Sequence, residues 1–229
     1  MKKPLLFKRS VRSIERKYHE LGYELGWSFL YSPARTLSLK TKIVFIGLNP
    51  GGFNYEEPMP SYERGNAYRL QSWGRNGREK NKLQSQISRF YQQIADKIGV
   101  SSECLMDSTL AANFCPFRSG NWASLQNKKE AIEFSNGLWS ELFDNLNPAV
   151  ILCLRETHRH IYSLIVEKRF KTISPVEKLE TGWGKIKFSL AAFAVEKRKV
   201  LLVGLPHLSR FTSLAAKLLR MNFTSLQNQ

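Results

Sequence analysis

The sequence predicts an α/β protein of three layers, α/β/α, with a mostly parallel central sheet of about four strands. Three observations predict it. Short, β-branched apolar runs alternate along the chain with amphipathic helical patterns, the order that builds a parallel sheet with helices on both faces. The runs are continuously apolar rather than alternating, as strands covered on both sides should be. A length of 229 residues suits one domain with a modest extension, large enough to bury a core without disulfides or metals. The expected organisation is a single domain over residues 1–229, with residues 1–40 as an N-terminal helical extension packed on it.

Taken in order, Val11, Ile14, Tyr18, Leu21 and Leu25 recur every three or four residues and predict a helix from Ser10 to Tyr31, weakened by Gly22 and Gly26 and stopped by Pro33. Lys42 to Gly47 (KIVFIG) predicts the best strand, running into the turn Leu48-Asn49-Pro50-Gly51-Gly52. From Asn54 to Leu83 the chain is polar, aromatic and without period, which predicts a long loop. Ile87, Phe90, Tyr91, Ile94 and Ile98 share one face of a helix from Gln86 to Ile98. Thr109 to Phe114 predicts a second strand. Lys128 to Leu146 predicts a helix that turns Ile132, Trp139, Leu142, Phe143 and Leu146 inward, with Pro148 after it. Ala149 to Leu154 reads as a third buried strand and Thr157 to Arg169 as a helix. Two further strands, Lys185 to Val195 and Lys199 to Val203, join through the charged turn Glu196-Lys197-Arg198, and Thr212 to Met221 closes as a helix.

The composition narrows the function. Thirty-five Lys and Arg against 19 Asp and Glu give a formal charge of +16. Such an excess points to a polyanionic partner, nucleic acid first and an anionic membrane face second, against the ordinary reading of a solvated basic surface. The longest apolar runs, Ala149 to Leu154 and Leu190 to Val195, fall far short of the ~20 residues of a membrane helix. Pro4 to Phe7 is too short for a signal-peptide core and is interrupted by Lys8 and Arg9, so the cytoplasm is expected, at the nucleoid if the cell is bacterial. Cys104, Cys115 and Cys153 are odd in number and form no CxxC pair, so neither a zinc ribbon nor a disulfide framework is expected. No metal or cofactor is indicated, and the expected state is a monomer.

In a mostly parallel sheet, ligands bind outside the carboxyl ends of the strands. Three loops therefore matter. After the first strand comes GLNPGGF, in which glycines let backbone approach an anion or a base and Asn49 can hold a water. It is neither a Walker loop nor GxGxxG, and taken alone it also reads as a plain turn. After the second strand comes Asn113-Phe114-Cys115-Pro116-Phe117-Arg118-Ser119-Gly120-Asn121; Asn113 offers a donor and an acceptor, as reading a uracil-like edge requires, though an Asn there can equally satisfy local backbone. After the last strand comes Leu205-Pro206-His207-Leu208-Ser209-Arg210-Phe211; His207 can donate to an oxygen that becomes negative, and a lone His can also be structural.

Together, GLNPGG, Asn-Phe-Cys-Pro and Leu-Pro-His-Leu-Ser, in this order, resemble the uracil-DNA glycosylase superfamily over about Lys42 to Met221. The first motif looks like the Gly-x-Asn-Pro-Gly of its mismatch-specific and single-strand-selective branches, the second like the Asn-His-Cys-Pro of the latter, the third like its His-Pro-Ser loop. The resemblance implies a uracil-DNA glycosylase-like fold and a monofunctional base-flipping hydrolase acting on uracil or a related pyrimidine in single- or double-stranded DNA. It implies that Asn49 positions the hydrolytic water, Asn113 hydrogen-bonds the flipped base, and His207 stabilises charge on its O2. It further implies that Ser209 contacts phosphate, that Leu208 to Phe211, including Arg210, are the stretch from which a side chain is inserted into the duplex, and that Phe53 stacks on the base. Two departures stand out. Leu208 replaces the loop proline. Asn49 replaces the Asp of the fastest branch and cannot act as a general base, so catalysis would lean on electrostatic stabilisation of the leaving base. Gly51 stands where that branch uses a bulky Tyr, which leaves room for a C5 substituent.

Arg118, Arg155, Arg159 and Arg210 are candidate phosphate contacts. The long loop, with Tyr62, Tyr68, Trp73, Arg64, Arg69, Arg75 and Arg78, mixes aromatics with cations as single-strand contacts do. Two other functions fit less of the pattern: a glycosylase-like fold that binds DNA without cutting it, and an α/β enzyme that uses Asn-Pro-Gly to hold a nucleotide phosphate.

Overall fold

The computed structural model describes residues 5–74, 77–154, 157–168, 171–180, 185, 187–195, 198–206 and 208. Helix α1 (Leu5–Glu20) leads into strand β1 (Ser28–Leu30), β2 (Ile43–Gly47), β3 (Met59–Ser61), α2 (Ala67–Leu70), α3 (Lys82–Ile98), α4 (Ser102–Ser108) and β4 (Leu110–Asn113). Then follow α5 (Lys128–Asp144), β5 (Val150–Leu154), α6 (Thr157–Lys168), β6 (Lys171–Glu180), β7 (Lys187–Val195) and β8 (Arg198–Leu205).

The strands form one mixed sheet of eight, ordered β3-β1-β4-β2-β5-β8-β7-β6. This corrects the expected sheet of about four strands. At its centre, β4, β2, β5 and β8 are all parallel. Both edges are extended: β1 joins β4 antiparallel and carries β3, while β6 and β7 add antiparallel strands beside β8. A bare four-stranded sheet would leave two open edges of unpaired amides, and these additions cover them.

Helices lie on both faces. In β2, Val44 and Ile46 point into one core with Ile14 of α1, Trp139 and Leu142 of α5 and Ile161 and Ile165 of α6. Ile43 and Phe45 point into the other, with Ile87, Phe90, Tyr91 and Ile94 of α3 and Met106 of α4. The period of two along the strand thus feeds two cores, which is why KIVFIG is apolar throughout. Asn81 starts α3 with a reciprocal capping box to Gln84, which places its start four residues before the apolar period alone predicts.

The expected helix to Tyr31 ends at Glu20. The chain turns at Gly22 and Gly26, both at positive φ, and residues 28–30 become β1. The expected loop from Asn54 to Leu83 is largely built: β3 pairs with β1, Ala67 N–H donates to Tyr31 O at 2.7 Å, and Lys80 donates to the carbonyls of Arg69 and Gln71. The expected helix from Thr212 to Met221 lies outside the described residues.

Gly204 of β8 gives one pH prediction. A Cβ there would lie 2.7 Å from the His158 ring, so the imidazole is pressed on this bare backbone. Burial lowers the His158 pKa to about 4. Between pH 6.5 and 4 the unfolded chain takes up this proton and the folded protein does not. Stability is therefore unaffected above 6.5 and declines as pH falls through that window, by up to about 3 kcal/mol. In urea unfolding, wild type should lose stability relative to His158→Leu as pH falls from 6.5 to 4; parallel curves over that range would refute the assignment.

Candidate active site

The loops after β2 and β4 are zipped together beyond the ends of their strands. Gly47 lies opposite Asn113 in the parallel register. Phe114 N–H donates to Gly47 O at 2.8 Å, Cys115 N–H to Leu48 O at 2.9 Å and Ser119 N–H to Pro50 O at 3.1 Å. Residues 64 positions apart, Asn49 and Asn113, therefore meet at the carboxyl edge of the sheet. Both line one open cleft of about 1270 Å³, with Leu154 from the end of β5. The order of the parallel core places the switch point between β2 and β5, at this cleft.

Asn49 is oriented. Its amide nitrogen donates to Ser119 Oγ at 2.8 Å and to Pro50 O at 3.0 Å. With the NH2 held by these acceptors, Oδ1 is the group left to accept from a water or hydroxyl. Asn113 is 5% exposed at the end of β4. Its side chain lies across Gly47, where a Cβ would come within 2.2 Å of Asn113 Oδ1. The close approach at Gly47 is to a side chain of the protein itself.

An aromatic wall faces these amides. The rings of Tyr31 and Tyr68 stack with centroids 5.5 Å apart, and Trp73 meets both edge-on at 5.6 and 5.1 Å. All three line the cleft. Burial pushes both phenols above the usual tyrosine value; for Tyr31, hydrogen bonding from Ser28 and Asn113 acts in the opposite direction without cancelling it. Both are therefore neutral hydroxyls at physiological pH. Cys115, next to the site, is pushed up to about 12 by burial, so it supplies no thiolate nucleophile.

The predicted site residues divide. Asn49, Gly51 and Asn113 line the cleft. At Gly51 a Cβ meets nothing within 4 Å, so the space expected there is present. Phe53 is 77% exposed with its ring against Gly120, outside the cleft lining, whereas the aromatic rings in the lining include Tyr31, Tyr68 and Trp73. Arg118 does line the cleft, but it is 7% exposed and donates to Gly51 O and to the Glu56 carboxylate. Its charge is spent clamping the two motif loops and residue 56. Leu208, in the stretch expected to supply the inserted side chain, is 1% exposed and packs with Leu154, Leu205 and Phe188 in the second core, so its own side chain is enclosed in this structure.

His207, Ser209, Arg210 and Phe211 lie outside the described residues, as do Arg75 and Arg155. β8 nevertheless ends at Leu205, paired with Leu154 at the cleft. Of the remaining cations, Arg69 is bound by Asp107 at 2.6 Å, while Arg64 is exposed in the cleft lining and Arg159 is exposed on α6. Sequence reasoning missed Tyr31 and Ser28 because it continued the first helix through them. Gly26 held the signal: its φ is +86°, and a Cβ there would strike Glu56 O. Among the described residues no group of three or more His, Cys, Asp or Glu is placed to hold a metal ion, and no helix is long and apolar enough to cross a membrane. No family model matches the chain, and no curated protein matches it.

Proposed function

We propose that the protein is a monofunctional DNA glycosylase that hydrolyses the N-glycosidic bond of uracil or a related pyrimidine after flipping it from the helix. One observation carries the reading: two asparagines, distant in sequence, meet in one cleft at the carboxyl edge of the sheet, one with its acceptor oxygen left for water and the other buried where a base edge would be read. The resemblance of the three loop motifs supports it, as does the charge of +16.

In this mechanism the duplex gives up a base at a cost of a few kcal/mol, offset by phosphate contacts. The ring enters against Tyr31, Tyr68 and Trp73. Asn113 hydrogen-bonds its edge. Water held by Asn49 Oδ1 forms a bond to the sugar C1′ as the bond from C1′ to the base nitrogen breaks. The electron pair leaves on the base, where His207 is the expected donor to the developing charge at O2. The attacking water gives up one proton to solvent as it bonds to C1′, the base anion takes one up, and the products are an abasic site and a free base. The open space at Gly51 admits a substituent at C5.

The test is release of base from single- and double-stranded oligonucleotides carrying uracil, hypoxanthine or 5-substituted pyrimidines. Asn49→Ala and His207→Ala should each slow release about 100-fold or more with the fold intact. A purified protein that leaves every substrate whole is not a glycosylase. Tight, salt-sensitive DNA binding without release would make it a DNA-binding protein on this fold, and stabilisation by a free nucleotide without DNA binding would make it a nucleotide enzyme.

A further inference from the structure

We propose that the outer face of α1 is a second nucleic-acid contact, separate from the cleft, in which Lys8, Arg12 and Arg16 hold backbone phosphates. These residues recur every four positions and are all exposed, so they form a row of positive charge about 12 Å long on one face. Among the described residues none of the three has an ion-pair partner. They line a groove of about 450 Å³ together with Arg9 and Glu141 of α5. Glu141 is the acid in that lining, and Arg9 pairs with it. The groove keeps three free cations beside one neutralised pair.

Two features favour nucleic acid over a bilayer. The apolar face of α1, with Phe7, Ile14 and Tyr18, is turned into the core. A helix lying on a membrane needs that face free. The row also leads away from the cleft. Tyr18, in the last turn of α1, accepts from Gly26 N–H at 2.9 Å, and its ring lies 6.5 Å from Phe117, the neighbour of Arg118 in the cleft wall. A polynucleotide, with a charge every ~1.7 Å of duplex, offers several phosphates to a row of this length. The inference concerns binding alone and does not rest on base excision.

The test is fluorescence anisotropy of an undamaged 20-base-pair duplex over about 50–300 mM salt. Lys8, Arg12 and Arg16 changed together to Gln should weaken binding at least tenfold near 100 mM salt and reduce the salt slope by about 2 to 3. A control of equal net charge, with exposed Arg35, Lys40 and Lys129 changed to Gln, should leave the slope near wild type. Circular dichroism checks that each variant is folded. A slope unchanged in the first variant overturns the proposal, as does an equal loss in the control. Loss of binding to phosphatidylserine vesicles, or to an acidic polypeptide, with duplex binding intact also overturns it. Base release is assayed separately on the same preparations, so failure of the catalytic reading remains distinguishable from failure of this one.

Discussion

Gly47→Ala is expected to cut base release about 100-fold or more while leaving a folded protein. The added Cβ would sit 2.2 Å from Asn113 Oδ1 and 3.5 Å from the Tyr68 hydroxyl. No side-chain contact persists at the first distance. Something must move, and the two candidates differ in stiffness. β2 and β4 are paired from Val44 to Gly47 and are covered on both faces, so separating them opens the core. The Asn113 amide sits at the strand end, where rotation about its own side-chain bonds relieves the clash without parting the strands. The substitution should therefore remove the base-reading group and spare the sheet. Release from a uracil oligonucleotide and a thermal melt read the two outcomes together. Near-normal release would mean that the Asn113 amide does not read the base. A melt lowered by more than about 10 °C would place the clash in the strands.

The largest effect on stability is expected from Trp139→Ala. This indole is 0% exposed in α5, and its Nε1–H donates to Phe114 O at 3.0 Å. Truncation empties a large volume in the first core and orphans a buried carbonyl one residue beyond Asn113. Large-to-small changes of this kind cost about 3–5 kcal/mol. For a chain of this size that lowers the melting temperature on the order of 10 °C. Trp139→Phe should recover most of the packing but not the hydrogen bond, so it should fall between wild type and Ala. Equal melting of Phe and wild type would show that the bond to Phe114 contributes nothing.

What the sequence made legible follows from how local each signal is. β2, β4 and β5 are continuous apolar runs, and α3 and α5 carry clear helical periods; each is written within a few residues of itself. β1 and β3 are three residues each, too short for any period. β3 is also flanked and interrupted by Pro58 and Pro60, which sequence reasoning counts against a strand and which an edge strand tolerates. β6 hides in the same way: Pro175 falls where its register with β7 shifts, at the outer edge. The sheet's true width was therefore invisible where it depends on long-range pairing.

The same distinction runs through the site. Asn49 and Asn113 could be named because they follow obvious strands. Arg118 could not be placed, because its partner Glu56 is 62 positions away and turns a surface charge into a buried clamp. Leu208 is flanked in the sequence by His207, Ser209 and Arg210, and only its packing shows that it belongs to the core. The aromatic wall depended on Tyr31 reaching Tyr68, a contact between a turn and a four-residue helix.

Strand β1 also sets a timetable for synthesis. Its inner neighbour, β4, pairs Ala112 with Leu30, about 80 residues later in the chain. At roughly 5–20 residues per second, β1 leaves the ribosome about 4–16 s before that neighbour exists. Through this interval only the short edge strand β3 can pair with β1, and Phe29 and Leu30, both fully enclosed in the finished protein, lack the core that covers them. The nascent amino-terminal segment should thus be a preferred chaperone client, and slowing translation between codons 31 and 110 should lower the soluble yield.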